Sequence, residues 1–154
     1  MHISVQHEDF DISAEIDRLK NGRIDLGAIA TFTGLVRDIH GEKNIKKMTL
    51  EHFPAMAEKE LAKIGKKAND RWPLQGLTII HRFGELYPGD QIVLVITTSH
   101  HREAAFNAAQ FIMDWLKTDA PFWKREQGPE GTHWVARREQ DEQRRVRWEQ
   151  SEGG

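Results

Sequence analysis

The sequence predicts an α+β fold with a mainly antiparallel sheet, in one domain. Apolar, β-branched segments recur in hairpin-like pairs between helices, whereas a parallel sheet would require strands and helices to alternate strictly. Neither G-x-G-x-x-G nor G-x-x-x-x-G-K-[ST] occurs, which argues against a nucleotide-binding parallel sheet. The length of 154 residues corresponds to about one ordinary domain.

The first third of the chain predicts three strands and one helix. Residues 2–6 alternate apolar and polar side chains, as a half-buried strand does. Asp11 or Ser13 can cap the helix that follows, and Gly22 can end it. Residues 27–36 and 45–53 are rich in β-branched residues, so we expect them to pair as a hairpin with a long tip. In the helix that Asp11 or Ser13 can cap, the apolar stripe is formed by Ile12, Ile16 and Leu19.

The rest of the chain predicts two longer helices and two further strand pairs. Pro54 begins a helix that ends near Arg71, and a second helix covers about 103–117 until Pro121 blocks it. Strands at 77–83 and 91–99 flank a Pro-Gly-Asp turn. Residues 121–126 and 132–135 predict two short strands. We therefore divide the chain into a domain at 1–135 and a charged, flexible tail at 136–154.

Composition excludes several function classes. The 22 Lys and Arg against 24 Asp and Glu leave a net charge of -2, without the positive field of a nucleic-acid binder. The sequence contains no cysteine, which rules out disulfides, thiolate nucleophiles, persulfide carriers and cysteine metal sites. No apolar run is long enough to span a membrane, and no secretory signal begins the chain. We expect a cytoplasmic protein that contacts neither membrane nor nucleic acid.

The junction between the strand at 91–99 and the following helix is a candidate anion site. It presents His100, His101 and Arg102 where the first helical N–H groups point outward. The alternatives are that Ser99 is only a helix cap and that His100 has a structural role. The histidines lack the spacing of metal ligands, so no metal or other cofactor is expected.

A second candidate site lies at the bend after the long helix. Lys117 and Lys124 bracket the segment TDAPFW, whose aromatic residues can form apolar walls. A lysine in such surroundings can release its proton near neutral pH and act as an acid, base or nucleophile. The alternative is that the lysine stems only cover the edge of the core.

Four segments together resemble the large, catalytic subunit of molybdopterin synthase, over Gly27 to about Val135. They are GAIATFTGLVRDIHGE, LEHFPAMAEKELAKI, IIHRFGELYPGD and SHHREAAFNAAQFIMDWLKTDAPFWKRE, in family order and spacing. The resemblance implies an α/β hammerhead-type fold with packed helices and a small β subdomain. It also implies a homodimer that forms the centre of a heterotetramer, with one small subunit at each end.

The resemblance implies sulfur transfer to cyclic pyranopterin monophosphate, which becomes molybdopterin, in molybdenum cofactor biosynthesis. The sulfur would arrive as a thiocarboxylate on the C-terminal Gly-Gly of a small ubiquitin-like subunit. By analogy Lys117 and Lys124 are catalytic, and both also bind the substrate. The other implied substrate-binding residues are Leu35, Val36, Arg37, His101, Arg102, Arg125 and Glu126. The alternative reading is a noncatalytic scaffold that binds the ubiquitin-like sulfur carrier.

Overall fold

A computed structural model describes residues 1–37, 46–50, 53–119, 122–128, 131–134 and 148. Three helices and eight strands occur within these ranges. The helices are α1 (Ile12–Lys20), α2 (Pro54–Arg71) and α3 (Arg102–Asp119). The strands are β1 (His2–Gln6), β2 (Ala28–Leu35), β3 (Lys46–Leu50), β4 (Leu74–Arg82), β5 (Gly84–Leu86), β6 (Gln91–Ser99), β7 (Phe122–Gly128) and β8 (Gly131–Trp134).

The strands form two four-stranded sheets. The main sheet has the order β1-β4-β6-β2, in which β1 is parallel to β4 and the other pairs are antiparallel. The small sheet has the order β5-β3-β7-β8 and is antiparallel throughout. The predicted α+β class with mainly antiparallel sheet is therefore confirmed, and the small sheet corresponds to the predicted β subdomain.

The core lies on both faces of the main sheet. On one face, α2 and α3 bury Leu61 and Phe111 against strand residues such as Ile79 and Val95. On the other face, Ile16 and its neighbours in α1 pack on β4 and β6. Because α3 begins just after β6 ends and packs on both β6 and β2, it runs back over the sheet toward the end where β6 began.

Local sequence signals set the helix ends. The Asp11 carboxylate accepts a hydrogen bond from the backbone N–H of Ala14 at 3.1 Å and caps α1. Asn21 is the C-cap of this helix, with a left-handed φ of 35°, and the predicted stop residue Gly22 follows it with a left-handed φ of 75°. Pro54 occupies the first position of α2, and Trp72 is extended before Pro73.

The predicted hairpin between 27–36 and 45–53 is wrong. Strand β2 pairs with β6 in the main sheet, and β3 pairs with β5 and β7 in the small sheet. Pairing with β6 lets β2 bury Ala30 and partly bury Ala28 under the helices, which the hairpin alone would not achieve. The connection between the strands predicted at 77–83 and 91–99 contains a further short strand, β5, which pairs with β3. Residues 45 and 51–52 of the predicted second strand lie outside the described ranges.

Trp148 is the described residue of the segment 136–154. Its ring packs edge-on against Trp72 and Phe111, with centroid distances of 5.8 Å to each. Its indole N–H donates to the Asp114 carboxylate, and its carbonyl accepts from Arg71 at 3.4 Å. This one side chain is thus anchored on the helical face, while the flexibility of the tail stays a prediction.

Candidate active site

The β6–α3 turn presents His101 and Arg102, and both residues are exposed. Two buried hydroxyls hold the turn from either side. Thr97 Oγ1 donates to the Ala105 carbonyl at 2.6 Å, and Ser99 Oγ donates to the Pro73 carbonyl at 2.9 Å. Ser99 thus fastens the end of β6 to the start of β4, which differs from a helix-capping role. The side chains of His101 and Arg102 therefore extend from a turn whose backbone is held in place by these two hydrogen bonds.

Gly27 adds a close backbone contact to the same turn. Its N–H donates to the Ser99 carbonyl at 3.0 Å. A Cβ atom at position 27 would lie 1.8 Å from the His100 carbonyl oxygen, far inside van der Waals contact. Any larger residue would push the turn away from β2, so this glycine is required by the close approach of two backbones.

Lys117 lies in the last turn of α3, at the opposite end of the helix. It is exposed, while Leu116 and Thr118 on either side of it are buried. Fifteen residues separate it from Arg102, which corresponds to about 22 Å along the helix axis. A lysine at this end of a helix is favoured by the partial negative charge of the last carbonyl groups.

Leu35, Val36 and Arg37 lie where β2 ends. Leu35 and Arg37 are exposed, whereas Val36 is buried against Leu86. The backbone of Val36 bonds in both directions, donating to the Asp90 carbonyl at 2.8 Å and accepting from Gly89 N–H at 2.7 Å. Since Ala28 pairs with Ser99 and Leu35 with Gln91, β2 runs from the Arg102 end of α3 toward the Lys117 end.

Lys124, Arg125 and Glu126 occupy consecutive positions in β7. They pair in register with β3 at Met48, Lys47 and Lys46, respectively. Their side chains lie outside the described part of the structure, as does Pro121. The backbone nevertheless puts Lys124 in the small sheet, in the strand that directly follows α3.

The predicted site residues therefore form two groups. The first group lies toward the C-terminal end of α3, from which the chain continues to β7, and consists of Leu35, Val36, Arg37 and Lys117. The second group, His101 and Arg102, lies at the N-terminal end of α3. Within one copy of the chain, the two groups are separated by the length of α3.

Sequence reasoning missed the polar neighbours of the β6–α3 turn. Arg23, Asp25 and Gln75 lie beside His100, although they are far from it in sequence. The pKa of Asp25 is lowered below its ordinary value, mainly by hydrogen bonds from Arg23. No spacing rule predicts this cluster, because strand pairing alone brings the three segments together.

Two further kinds of site find no support within the described ranges. Among these residues, no group of three His, Asp or Glu side chains could hold a metal ion. No described helix is both long and apolar enough to cross a bilayer.

Known proteins are similar to this chain in sequence and in fold. A catalytic subunit of molybdopterin synthase from Brucella melitensis is 55% identical over 152 residues, covering 97% of this chain and 92% of that protein. A molybdopterin biosynthesis MoaE protein from Burkholderia ambifaria has a TM-score of 0.81 at 43% identity, covering 96% and 97% of the two chains.

A more distant structure shows the same fold. A chain in the complex of subunits 1 and 2 of molybdopterin-converting factor from Helicobacter pylori has a TM-score of 0.70. It is 18% identical and covers 88% of this chain and 90% of its own. The model of the family described as MoaE protein matches residues 5–119, which include the end of β1, the other three strands of the main sheet and all three helices. The chain therefore belongs to the MoaE protein family.

Proposed function

We propose that this chain is the catalytic subunit of a molybdopterin synthase, a sulfurtransferase of molybdenum cofactor biosynthesis that acts in the cytoplasm. The observation that carries the proposal is the match to the catalytic subunit from B. melitensis over 97% of this chain. The exposed cations support it, because Arg37, Arg102 and Lys117 all face solvent and are available to an anionic substrate. The substrate is cyclic pyranopterin monophosphate, and the product carries a dithiolene.

The sulfur donor is a small ubiquitin-like subunit that ends in a Gly-Gly thiocarboxylate. This chain has no cysteine, so it cannot relay sulfur as a persulfide and a separate carrier must bring it. The distant H. pylori structure, a complex of two subunits, is in line with a bound partner. The partner's tail would enter near Lys117, where its carboxylate-like terminus meets positive charge.

Lys117 serves as the general acid and base nearest the partner's glycine. Lys124 donates a second proton or stabilises the intermediate linked to the partner. The pterin phosphate, the thiocarboxylate and the intermediates are all anionic, so fixed cations reduce the repulsion between the reactants. Arg37 closes this part of the site, and Leu35, Val36, Arg125 and Glu126 flank the cations.

His101 and Arg102 bind the substrate phosphate. Because they are about 22 Å from Lys117 along α3, one substrate reaches both groups only if a second copy of the chain supplies one of them. A homodimer, the centre of a heterotetramer with two small subunits, provides that copy. Strand β2 is an edge of the main sheet, and the apolar side chains exposed on it and on α3 suit burial in such a dimer. These side chains are Ile29, Phe32, Leu35 and Phe106.

A reconstitution experiment tests this function. The purified chain, the thiocarboxylated partner and cyclic pyranopterin monophosphate are mixed, and the dithiolene product is measured. We expect product only with all three components. Equal turnover with sulfide or a persulfide donor, in the absence of the partner, would refute the role of the partner.

The second candidate function is a noncatalytic scaffold that binds the sulfur carrier. The presence of both Lys117 and Lys124 disfavours it, because a noncatalytic scaffold does not need this pair of lysines. Partner binding without any product in the complete mixture would favour the scaffold.

A further inference from the structure

Gln75 contacts both the segment before β2 and the turn before α3. It lies at the start of β4 and is half-buried. Its amide nitrogen lies 2.9 Å from the Asp25 carbonyl oxygen and 3.3 Å from Asp25 Oδ2. The same nitrogen lies 3.2 Å from Nδ1 of His100. One amide group therefore links three segments that are distant in sequence.

The chemistry of Asp25, Gln75 and His100 decides which group donates in each of these hydrogen bonds. The Asp25 carbonyl and carboxylate oxygens only accept hydrogen bonds, so the Gln75 atom that faces them must be the NH2 group. The NH2 group cannot accept a hydrogen bond, so in its contact with His100 the Nδ1 atom must be the acceptor. A neutral imidazole that accepts at Nδ1 carries its proton on Nε2. The network thus selects one tautomer of His100.

Arg23 donates hydrogen bonds to both Asp25 and Gln75. Its guanidinium donates two hydrogen bonds to the Asp25 carboxylate, at 2.9 and 2.8 Å, in the bidentate geometry that is strong for this pair. A third N–H donates to the Gln75 carbonyl at 3.3 Å. Arg23 therefore fixes both the acceptor that orients the Gln75 amide and the backbone that carries it.

We propose that Gln75 is a positioning residue that fixes His100 as the Nε2–H tautomer and so adds a neutral N–H donor beside His101 and Arg102 for a phosphate monoester. The proposal rests on the proposed function, which assigns the substrate phosphate to this turn. His100 precedes the two residues directly in the chain, and the turn is held by Thr97, Ser99 and Gly27. A donor of fixed direction on a fixed backbone binds an anion without first losing rotational freedom.

The tautomer is measured by two-bond 1H–15N correlation spectra of the full chain in complex with its partner, at a pH near 8. The loss of signals in His100→Ala assigns the ring. We expect a protonated Nε2 in the wild type. Gln75→Glu offers an acceptor in place of the donor, so the proton should move to Nδ1. A protonated Nδ1 in the wild type, or the same tautomer in both proteins, would overturn the proposal.

Kinetics tests the consequence for the substrate. Gln75→Ala should raise the KM for cyclic pyranopterin monophosphate about three- to tenfold and leave kcat unchanged, as expected for the loss of one well-placed neutral hydrogen bond. The matched control is Gln6→Ala. That amide also donates to two carbonyl oxygens, of Glu8 and Asp9, but it lies where β1 pairs with the far end of β4.

The two measurements separate the possible failures. A tautomer change without a change in KM would refute the role of Gln75 in substrate binding. An equal rise in KM for Gln6→Ala would mean that the effect is general destabilisation, which also overturns the proposal. A wild-type complex that makes no dithiolene product would refute the proposed function, while the spectra would still test the tautomer.

Discussion

The two ends of α3 offer opposite environments to a charged ligand. At the first end, the N–H groups of the helix favour anions, and Arg102 adds a positive side chain. At the last end, the carbonyl groups favour cations such as Lys117 and repel anions. Anion binding near Lys117 therefore depends on side-chain charge alone, whereas binding near Arg102 also uses the backbone.

The two ends also differ in how firmly they are held. Two buried hydroxyls, a glycine contact and the Gln75 amide fix the turn before Arg102. Lys117, in contrast, extends from the surface of α3 on a flexible stem. This difference suits a fixed phosphate-binding group at one end and a mobile proton-transferring amine at the other.

The largest expected effect is at the Lys117 end. Lys117→Ala should lower turnover at least about 100-fold with the fold and the partner complex retained, because a positioned acid and base contributes about that much or more. We expect the same of Lys124→Ala. Lys117→Arg keeps the charge but cannot readily give up a proton, so it should not restore the rate. Steady-state turnover of each variant complex checks these expectations.

The matched control is Lys66→Ala, which removes an exposed lysine of α2 that pairs with Asp70 at 2.9 Å. This substitution should leave the turnover rate unchanged. Near-normal rates for the Arg variants of both Lys117 and Lys124 would exclude proton transfer and leave only charge neutralisation.

At the other end, Arg102→Ala should weaken pterin binding about tenfold or more, in line with the loss of charge-assisted hydrogen bonds to a phosphate. Partner affinity should be retained, and calorimetry with each ligand measures both. Arg18→Ala, which removes an exposed arginine of α1 paired with Glu15 at 3.5 Å, serves as the control. If partner affinity were lost while pterin affinity stayed the same, the division of roles between the two ends would be wrong.

A mixed dimer tests whether the ends of two copies share one site. A dimer of one Lys117→Ala chain and one Arg102→Ala chain should have about half the wild-type turnover, because one of its two shared sites retains both residues and the other has lost both. The two homodimeric variants provide the reference rates. Activity no higher than the mean of those two rates would show that each copy uses its own Lys117 and Arg102.

The smallest effect concerns acid stability near the Arg102 end. The pKa of Asp25 is held below its ordinary value of 3.8 by hydrogen bonds from Arg23. Its carboxylate therefore stabilises the fold above that value, and the contribution is lost as the pH falls through the folded-state pKa. Thermal unfolding of the wild type and of Asp25→Asn should differ slightly at neutral pH and converge well below pH 3.8. A difference that does not change with pH would contradict this role of the charge.

Local patterns in the sequence predicted most elements of the fold, since their signals act within a few residues. Pro54 and Arg71 bound α2 as expected, and the apolar stripe of α3 predicted its length to within two residues at its C-terminal end. The strands at 77–83 and 91–99 pair as predicted. The pairing of β2 was not predicted, because a β-branched strand can pair with several partners and the burial of Ala30 selects among them only after collapse.

The sequence by itself determined the chemistry that is available: no thiol, an Arg102 at a helix start and lysines at 117 and 124. Only the tertiary structure decided how these groups are distributed. The path of α3 across β6 and β2 separates Arg102 from Lys117 by the length of a helix, and strand pairing brings Asp25 and Gln75 to His100. Residue type and helical spacing are local properties, whereas the contacts between distant segments form only when the sheet buries its two faces.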